Sequence, residues 1–112
     1  MKIEKRAQII QDWIENYCRN TSINPKALVV GISGGIDSSV VSTLCAKTGR
    51  KTIVLTMPIN QIESQHDLSL LHANWLKEKF KNVEHHLLDM DKIFKIFSST
   101  LRKFDNEHGF AN

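Results

Sequence analysis

The chain has 112 residues, with 15 lysines and arginines, 12 aspartates and glutamates, and a formal net charge of +3. This length allows one domain with a modest core and is small for a complete α/β enzyme with two substrates. The basic residues are spread along the chain, which disfavours nucleic acid as a partner. No segment approaches the ~20 apolar residues of a membrane-spanning helix, so we expect no membrane partner.

The two cysteines and the first residues bear on the compartment. Cys18 and Cys45 lie far apart, each within a helical pattern, and form no CxxC pair. This favours buried thiols in a reducing compartment over a disulfide or a zinc site. The opening residues MKIEKRAQII lack the apolar core of a signal peptide. We therefore expect a cytoplasmic protein.

The first predicted elements are a helix and a strand. Apolar residues recur at helical spacing from about Ile3 to Arg19, which predicts an amphipathic helix. Its apolar face contains Ile10, Trp13, Ile14, Tyr17 and Cys18. After the polar TSINP segment, the apolar run over 28–32 predicts a strand buried on both faces, as in a parallel sheet covered by helices.

The next elements continue this alternation. A second helix follows a pair of glycines and stops near Gly49. Its predicted buried side consists of Val40, Val41, Leu44 and Cys45. A second strand is predicted from Thr52 to Met57, where Pro58 ends it.

The last predicted elements are a helix, a strand and a helix. Ser64 is the predicted N-cap of the third helix, with Gln65 and Asp67 in its first turn. One face of this helix contains Leu68, Leu71, Trp75, Leu76 and Phe80. A short strand over Val83–Leu88 follows, and an aspartate at position 89 or 91 caps a fourth helix. The apolar face of that helix contains Ile93, Phe94, Phe97 and Leu101.

Strands separated by helices of this length imply right-handed crossovers and a parallel sheet. We therefore predict an α/β fold with a doubly wound, Rossmann-like sheet, helices on both faces and βαβ units after an amino-terminal helix. Ligands of such sheets bind outside the carboxyl ends of the strands. The loops after the first and second strands are therefore the predicted site.

The loop after the first strand lies within the sequence ALVVGISGGIDSS at 27–39 and has the composition of a pyrophosphate site. Gly34 and Gly35 allow a sharp turn and a close approach of backbone N–H groups to a ligand. The helix that follows offers free N–H groups and a positive dipole end. Ser33 and Ser38 add hydroxyl donors. The predicted binding residues are Gly31, Ile32, Ser33, Gly34, Gly35, Ile36, Asp37 and Ser38.

Asp37 is the unusual member of this loop. Its carboxylate would repel phosphates unless a cation intervened, so we predict that Asp37 coordinates Mg²⁺. An ordinary turn is the second interpretation, in which Asp37 or Ser38 satisfies helix N–H groups. The loop has neither a G-K-[ST] ending nor a G-x-G-x-x-G pattern, which disfavours a P-loop NTPase and a dinucleotide fingerprint.

The other polar residues carry no predicted chemistry. Five histidines occur, but His85 and His86 must point to opposite faces of a strand and cannot easily share a metal. We expect each histidine to face solvent or to form a hydrogen bond. No side chain is predicted as a catalytic nucleophile.

The segment Ser33–Ser38, SGGIDS, resembles the SGGxDS loop of the ATP-pyrophosphatase superfamily, which has the adenine nucleotide alpha hydrolase-like fold. Its members cleave ATP between the α- and β-phosphates to adenylate a substrate. Within it, the chain is most similar to ammonia-dependent NAD synthetase. The helix before the loop, the Met57-Pro58 strand end, the segment INQIESQHD and the closing Ala111-Asn112 carry this resemblance.

The resemblance implies a ligase of NAD biosynthesis that uses ATP and Mg²⁺. The carboxylate of deamido-NAD would attack the α-phosphate of ATP, pyrophosphate would leave, and ammonia would displace AMP to form NAD. Thr56 and Met57 would lie against the adenine, although the family often has arginine at the position of Thr56. Residues 1–112 would be the amino-terminal part of a single ATP-binding domain, in a protein that forms a homodimer.

The chain starts only about thirty residues before the loop, so we expect no glutaminase and free ammonia as the nitrogen source. We expect little activity from residues 1–112 alone, because the family's arginine-rich substrate segment comes later. Two alternatives remain. One is another ATP-pyrophosphatase, such as a tRNA-modifying ligase or a GMP synthetase-type amidating enzyme, and the other is a non-catalytic nucleotide-binding module.

Overall fold

The computed structural model describes residues 2–58 and 63–108. Its elements are α1 (Ile3–Asn20), β1 (Leu28–Ile32), α2 (Ile36–Lys47), β2 (Thr52–Thr56), α3 (Glu63–Lys79), β3 (Val83–Leu87) and α4 (Asp91–His108). Each predicted element is confirmed, and the strands end within one residue of their predicted ends. Local hydrophobic periodicity was therefore sufficient to locate the elements.

The three strands form one parallel sheet in the order β1-β2-β3. Helix α2 packs on β1 and β2, α3 packs on β2 and β3, and the two helices contact each other, so both cover the same face. The protein therefore has the predicted α/β fold, a parallel sheet flanked by helices. Within the described residues, α2 and α3 lie on one face and the strand order does not reverse, so helices on both faces and double winding stay predictions. The carboxyl ends of β1 and β2 meet at one edge, since Ile32 pairs with Thr56.

The two faces of the sheet differ. The face under α2 and α3, here called the helix-covered face, carries the core; its cluster consists of Ile32, Ala46, Val54, Ala73, Leu76 and Val83, with Phe80 packed against it. The opposite face, here called the open face, carries Val29, Ile53, Leu55, Glu84 and His86. Val29 is 61% exposed. The prediction that β1 is buried on both faces is therefore wrong for Val29 in this structure.

The buried sides of α2 and α3 also differ in part from the prediction. Leu44 and Cys45 are buried as predicted, but Val40 and Val41 are exposed, and the small residues Ser42 and Ala46 are buried. In α3, Leu76 is buried as predicted, whereas Leu68 and Leu71 are exposed; Ser69 and Ala73 are buried in that helix. Small side chains let a helix approach the sheet closely, and a pattern of large apolar residues does not reveal them.

The first and last helices expose much of their apolar faces. Helix α1 packs against α2 and buries Cys18, but Trp13 and Tyr17 stack on each other at the surface with ring centroids 5.4 Å apart. In α4, the exposed apolar residues are Ile93, Ile96, Phe97 and Leu101. The predicted helices are therefore present, but their predicted apolar faces are largely uncovered within the described residues.

Two smaller predictions concern helix starts. Helix α3 begins at Glu63, so Ser64 lies inside its first turn, and the prediction of Ser64 as the N-cap is wrong. Before α4, the Asp91 N–H donates to Asp89 Oδ1 at 3.0 Å, which confirms an aspartate at the start of that helix.

Both cysteines, Cys18 and Cys45, are buried thiols, as predicted.

None of the helices in the described part of the chain is long and apolar enough to cross a membrane.

Candidate functional site

The turn between β1 and α2 depends on Gly34. Its φ angle of +90° lies in the left-handed region, which residues with a side chain rarely adopt. A Cβ atom at Gly34 would also lie 2.5 Å from the backbone oxygen of Gln65, in the first turn of α3. Gly34 is therefore required both by its own conformation and by the close approach of α3 to the loop.

Serine hydroxyls close this turn. The Ser33 N–H donates to Ser38 Oγ at 3.1 Å, and the two hydroxyl oxygens also lie 3.1 Å apart. The Gly35 N–H donates to Ser33 Oγ at 3.2 Å, while Ser38 Oγ and Ser39 Oγ donate to the Gly35 carbonyl at 3.3 and 2.9 Å. The loop is thus already folded around its own hydrogen bonds, and a ligand would meet an ordered turn.

The amino end of α2 is open to an anion. Its N-cap residue is Gly35, so no side chain caps the first turn. An uncapped first turn presents backbone N–H groups and the positive end of the helix dipole. The side chains of Ser33 and Asp37 are exposed beside it. This combination suits a phosphate group, provided that the negative charge of Asp37 is balanced.

Asp37 fits a shared magnesium ion better than a protein-only metal cage. Within residues 2–58 and 63–108, no three histidine, cysteine, aspartate or glutamate side chains are grouped as a metal site. Mg²⁺ bound to nucleotides commonly takes one or two protein carboxylates and fills its other positions with phosphate oxygens and water. An exposed carboxylate in the first turn of α2 matches that requirement.

Met57 lies over the end of β1. A cavity of about 230 Å³ is lined by Gly31, Ile32, Ser33 and Met57. A Cβ atom at Gly31 would lie 3.0 Å from the Met57 methyl carbon, so the absent side chain at Gly31 makes room for Met57. The structure thus brings Met57 and the start of the loop together in one depression at the carboxyl end of the sheet.

Thr56 lies beneath this depression and does not line it. The residue is completely buried on the helix-covered face. Its hydroxyl lies 2.9 Å from His85 Nε2, and its carbonyl accepts a hydrogen bond from the Leu88 N–H at 2.8 Å. Burial, together with the nearby positive charges of Lys77 and His86, lowers the pKa of His85. Thr56 is therefore used in packing, while the neighbouring Met57 faces the depression.

Two features of the site escaped the sequence analysis. One is the contact between Gly34 and the Gln65 backbone, and the other is a hydrogen bond of 2.9 Å between Ser42 Oγ and His72 Nε2. No sequence signal marks either one, because the partners are 30 or more residues apart. Gln61 and the Ala111-Asn112 pair, which supported the family resemblance, lie outside the described residues.

The fold and the loop together define an α/β domain in which a strand-loop-helix unit, suited to a phosphate group, lies at the carboxyl edge of a parallel sheet. The family model described as NAD synthase matches residues 6–112. The chain therefore belongs to the NAD synthase family, which confirms the resemblance drawn from the SGGIDS loop and the segments around it. This assignment disfavours the other ATP-pyrophosphatases and the non-catalytic module.

Individual relatives agree with the family assignment. The chain is 29% identical to an NH(3)-dependent NAD(+) synthetase of Carboxydothermus hydrogenoformans, over 88% of this chain and 38% of the relative. It is 32% identical to one of Saccharolobus solfataricus, over 80% of this chain and 31% of the relative. The chain thus spans less than half the length of the curated relatives that it matches.

Solved structures show the same fold. NMN synthetase from Francisella tularensis superposes with a TM-score of 0.78 at 26% identity, over 92% of this chain and 41% of the neighbour. An NH3-dependent NAD synthetase from Campylobacter jejuni, solved with a nitrate ion, superposes with a TM-score of 0.74 at 25% identity. The match covers 89% of this chain and 42% of the neighbour. The sheet and helices described above are therefore the arrangement that these synthetases share with this chain.

Proposed function

We propose that this chain provides the ATP-binding part of an ammonia-dependent NAD synthetase. The proposed reaction is the amidation of deamido-NAD to NAD, with ATP converted to AMP and pyrophosphate. The observation that carries the proposal is the preformed Ser33–Ser38 turn before the uncapped helix α2, in a chain of the NAD synthase family.

The loop would act on the leaving group. When the substrate carboxylate attacks the α-phosphate, negative charge builds up on the departing pyrophosphate. Fixed N–H dipoles at the start of α2 would stabilise that charge without reorganising, because the turn is already ordered. The Ser33 hydroxyl would add a donor by turning its proton from Ser38 Oγ to the phosphate. Gly34 and Gly35 keep the backbone accessible there. The part assigned to this loop is therefore electrostatic.

Asp37 would hold the magnesium ion of Mg-ATP, whose role is to offset the phosphate charge. Gly31, Ile32 and Met57 would contact the adenosine side of the nucleotide, since they line one depression next to the loop. Ile36 would contribute its backbone at the helix start. For Thr56 we propose support of the strand end in place of direct adenine contact, because it is fully buried.

The test compares two aspartates that each lie in the first turn of a helix, Asp37 in α2 and Asp91 in α4. In the protein at its natural length, Asp37→Asn should lower AMP formation by about 10²–10³-fold, the size seen when a preorganised electrostatic contact is lost. Asp91→Asn should stay close to wild type. Unchanged turnover of Asp37→Asn would contradict the assigned role.

The acceptor is tested in the same assay. Deamido-NAD and the deamido form of nicotinamide mononucleotide are offered separately with ATP and ammonia, because one structural neighbour is an NMN synthetase. We expect amide formation from deamido-NAD. Exclusive use of the mononucleotide would replace the proposed substrate and leave the ATP site intact.

Two wider features belong to the same proposal. We propose a homodimer, supported by the exposed apolar residues of α1 and α4, since patches of this kind often mark interfaces. Light scattering should give twice the mass of one subunit, and the mass of a single subunit would contradict the homodimer.

We also propose a cytoplasmic location, supported by the two buried free thiols.

A further inference from the structure

A polar contact joins the middle of α3 to α2. It lies one helical turn beyond the proposed phosphate-binding loop Ser33–Ser38, here called the phosphate loop. His72 Nε2 lies 2.9 Å from the hydroxyl of Ser42, which is completely buried. The Ser42 hydroxyl donates its single proton to the Ser39 carbonyl at 3.1 Å. The Ser42 oxygen must then accept from His72, which requires the tautomer with the proton on Nε2.

Further hydrogen bonds lead from this contact to the loop. Ser39 Oγ donates to the Gly35 carbonyl at 2.9 Å, and the Ser39 N–H donates to the same carbonyl at 3.3 Å. The Ser39 carbonyl also accepts from the Thr43 hydroxyl at 2.7 Å. A continuous series of hydrogen bonds therefore runs from His72 through Ser42 and Ser39 to the N-cap residue of α2.

The ring of His72 is held on the α3 side as well. It stacks on Trp75, with centroids 5.7 Å apart and the planes 22° from parallel. Burial lowers the pKa of His72, partly opposed by the nearby Ser39 carbonyl, so the ring is neutral at pH 7. A neutral, stacked ring with a defined tautomer is a fixed donor, in contrast to a mobile surface histidine.

We propose that His72 is a positioning residue for the phosphate loop. Through Ser42 and Ser39 it fixes the first turn of α2 relative to α3, and α3 also supports the loop where the Gln65 backbone meets Gly34. The proposal rests on the proposed role of this loop in ATP binding. It adds a residue on α3 that would act through α2, by determining where the N–H groups of α2 point.

The experiment uses three variants and one control in the protein at its natural length. His72→Leu removes the donor, His72→Gln keeps a donor near the Nε2 position, and Ser42→Ala removes the acceptor without changing α3. Ser69→Ala is the control, since Ser69 is equally buried and its hydroxyl donates to a helix carbonyl three residues back, whereas no hydrogen bond joins it to α2 within the described residues.

Two measurements are made on each variant. Amide hydrogen exchange over residues 33–39 without ligand reports the order of the loop, and kcat/KM is determined separately for ATP and for ammonia. We expect about tenfold lower kcat/KM for ATP and faster exchange in His72→Leu and Ser42→Ala, since small displacements of a positioned group cost 10–100-fold. His72→Gln should recover most of the wild-type kcat/KM for ATP and most of the wild-type exchange protection. In every variant, the kcat/KM for ammonia should change less than the kcat/KM for ATP.

The outcomes separate two questions. Unchanged exchange over 33–39 in both His72→Leu and Ser42→Ala would overturn the proposal, whatever the ligand. An effect of Ser69→Ala as large as that of Ser42→Ala would also overturn it, because general loss of packing would then suffice. Failure of the wild-type protein to turn over ATP would overturn the proposed function, while the exchange measurement would still decide the role of His72.

Discussion

The helix-covered face and the open face of the sheet carry similar apolar residues but differ in burial. Val54 on the helix-covered face is completely buried, whereas Val29, on the neighbouring strand and the open face, is 61% exposed. Both valines stand in short apolar strands of five residues. The difference comes from α2 and α3, which cover only one face. The residue types therefore predicted where the strands lie, whereas the helices that pack on the sheet decided which strand residues are buried.

The loop of the candidate site lies at the carboxyl edge of the sheet, where it meets α3. Helix α3 contributes a core residue, Leu76, and also meets the loop at Gly34 and binds α2 through His72. One helix thus connects the stability of the sheet to the geometry of the phosphate loop. The open face shows no comparable link in the part of the chain that the structure describes.

The largest expected effect concerns two leucines of α3. Leu76 is completely buried and Leu71 is 66% exposed. Leu76→Ala should lower the free energy of unfolding by about 2–5 kcal/mol, because it removes buried methyl groups and leaves a cavity. Leu71→Ala should change it by less than about 0.5 kcal/mol. Urea denaturation of the protein at its natural length gives the free energy of unfolding of each variant. An equal loss in the two variants would show that Leu71 is also buried in the protein at that length.

The second comparison concerns two glycines with positive φ angles, Gly34 at +90° and Gly49 at +82°. Both Gly→Ala changes carry a backbone penalty of about 1–3 kcal/mol. Only at Gly34 would the new Cβ meet backbone atoms, since nothing lies within 4 Å at Gly49. Calorimetry should therefore find Mg-ATP binding abolished by Gly34→Ala and retained by Gly49→Ala. Equal binding by the two variants would show that α3 does not constrain the loop.

The third comparison is the matched pair Val54→Ala and Val29→Ala. We expect Val54→Ala to destabilise the protein by about 1.5 kcal/mol. The change removes the equivalent of two buried CH₂ groups, and each contributes about 0.8 kcal/mol. Val29→Ala should cost less than about 0.5 kcal/mol, because Val29 is already exposed. Thermal unfolding monitored by circular dichroism compares them. A loss at Val29 as large as at Val54 would mean that another segment covers the open face.

The smallest expected effect depends on pH. Burial lowers the pKa of His72, and burial with Lys77 and His86 lowers that of His85. Below the ordinary histidine pKa of about 6.5, the unfolded chain binds protons that the folded protein resists, so stability should fall as pH drops through that value. His72→Gln combined with His85→Gln should flatten this slope, measured by denaturation between pH 7 and 5. An unchanged slope in the double variant would contradict this expectation.

Much of the fold was predictable because its signals are local. The glycine pair, the apolar runs and the helical spacing located every element. The SGGIDS segment, together with the Met57-Pro58 strand end and the segment INQIESQHD, predicted the family. The predicted buried sides of α2 and α3 were wrong at Val40, Val41, Leu68 and Leu71. Those predictions assumed that the large apolar residues are the buried ones, whereas the small residues Ser42, Ser69 and Ala73 are buried and allow close packing of the helices.

The sequence by itself determined the order of the elements and the turn at Gly34 and Gly35, because each depends on residues adjacent in the chain. Only the tertiary structure decided that Thr56 lies beneath the site, that Met57 lines it, and that α3 supports the loop. Contacts such as Ser42 with His72 join residues 30 positions apart, and their formation depends on how helices pack, which no local pattern encodes.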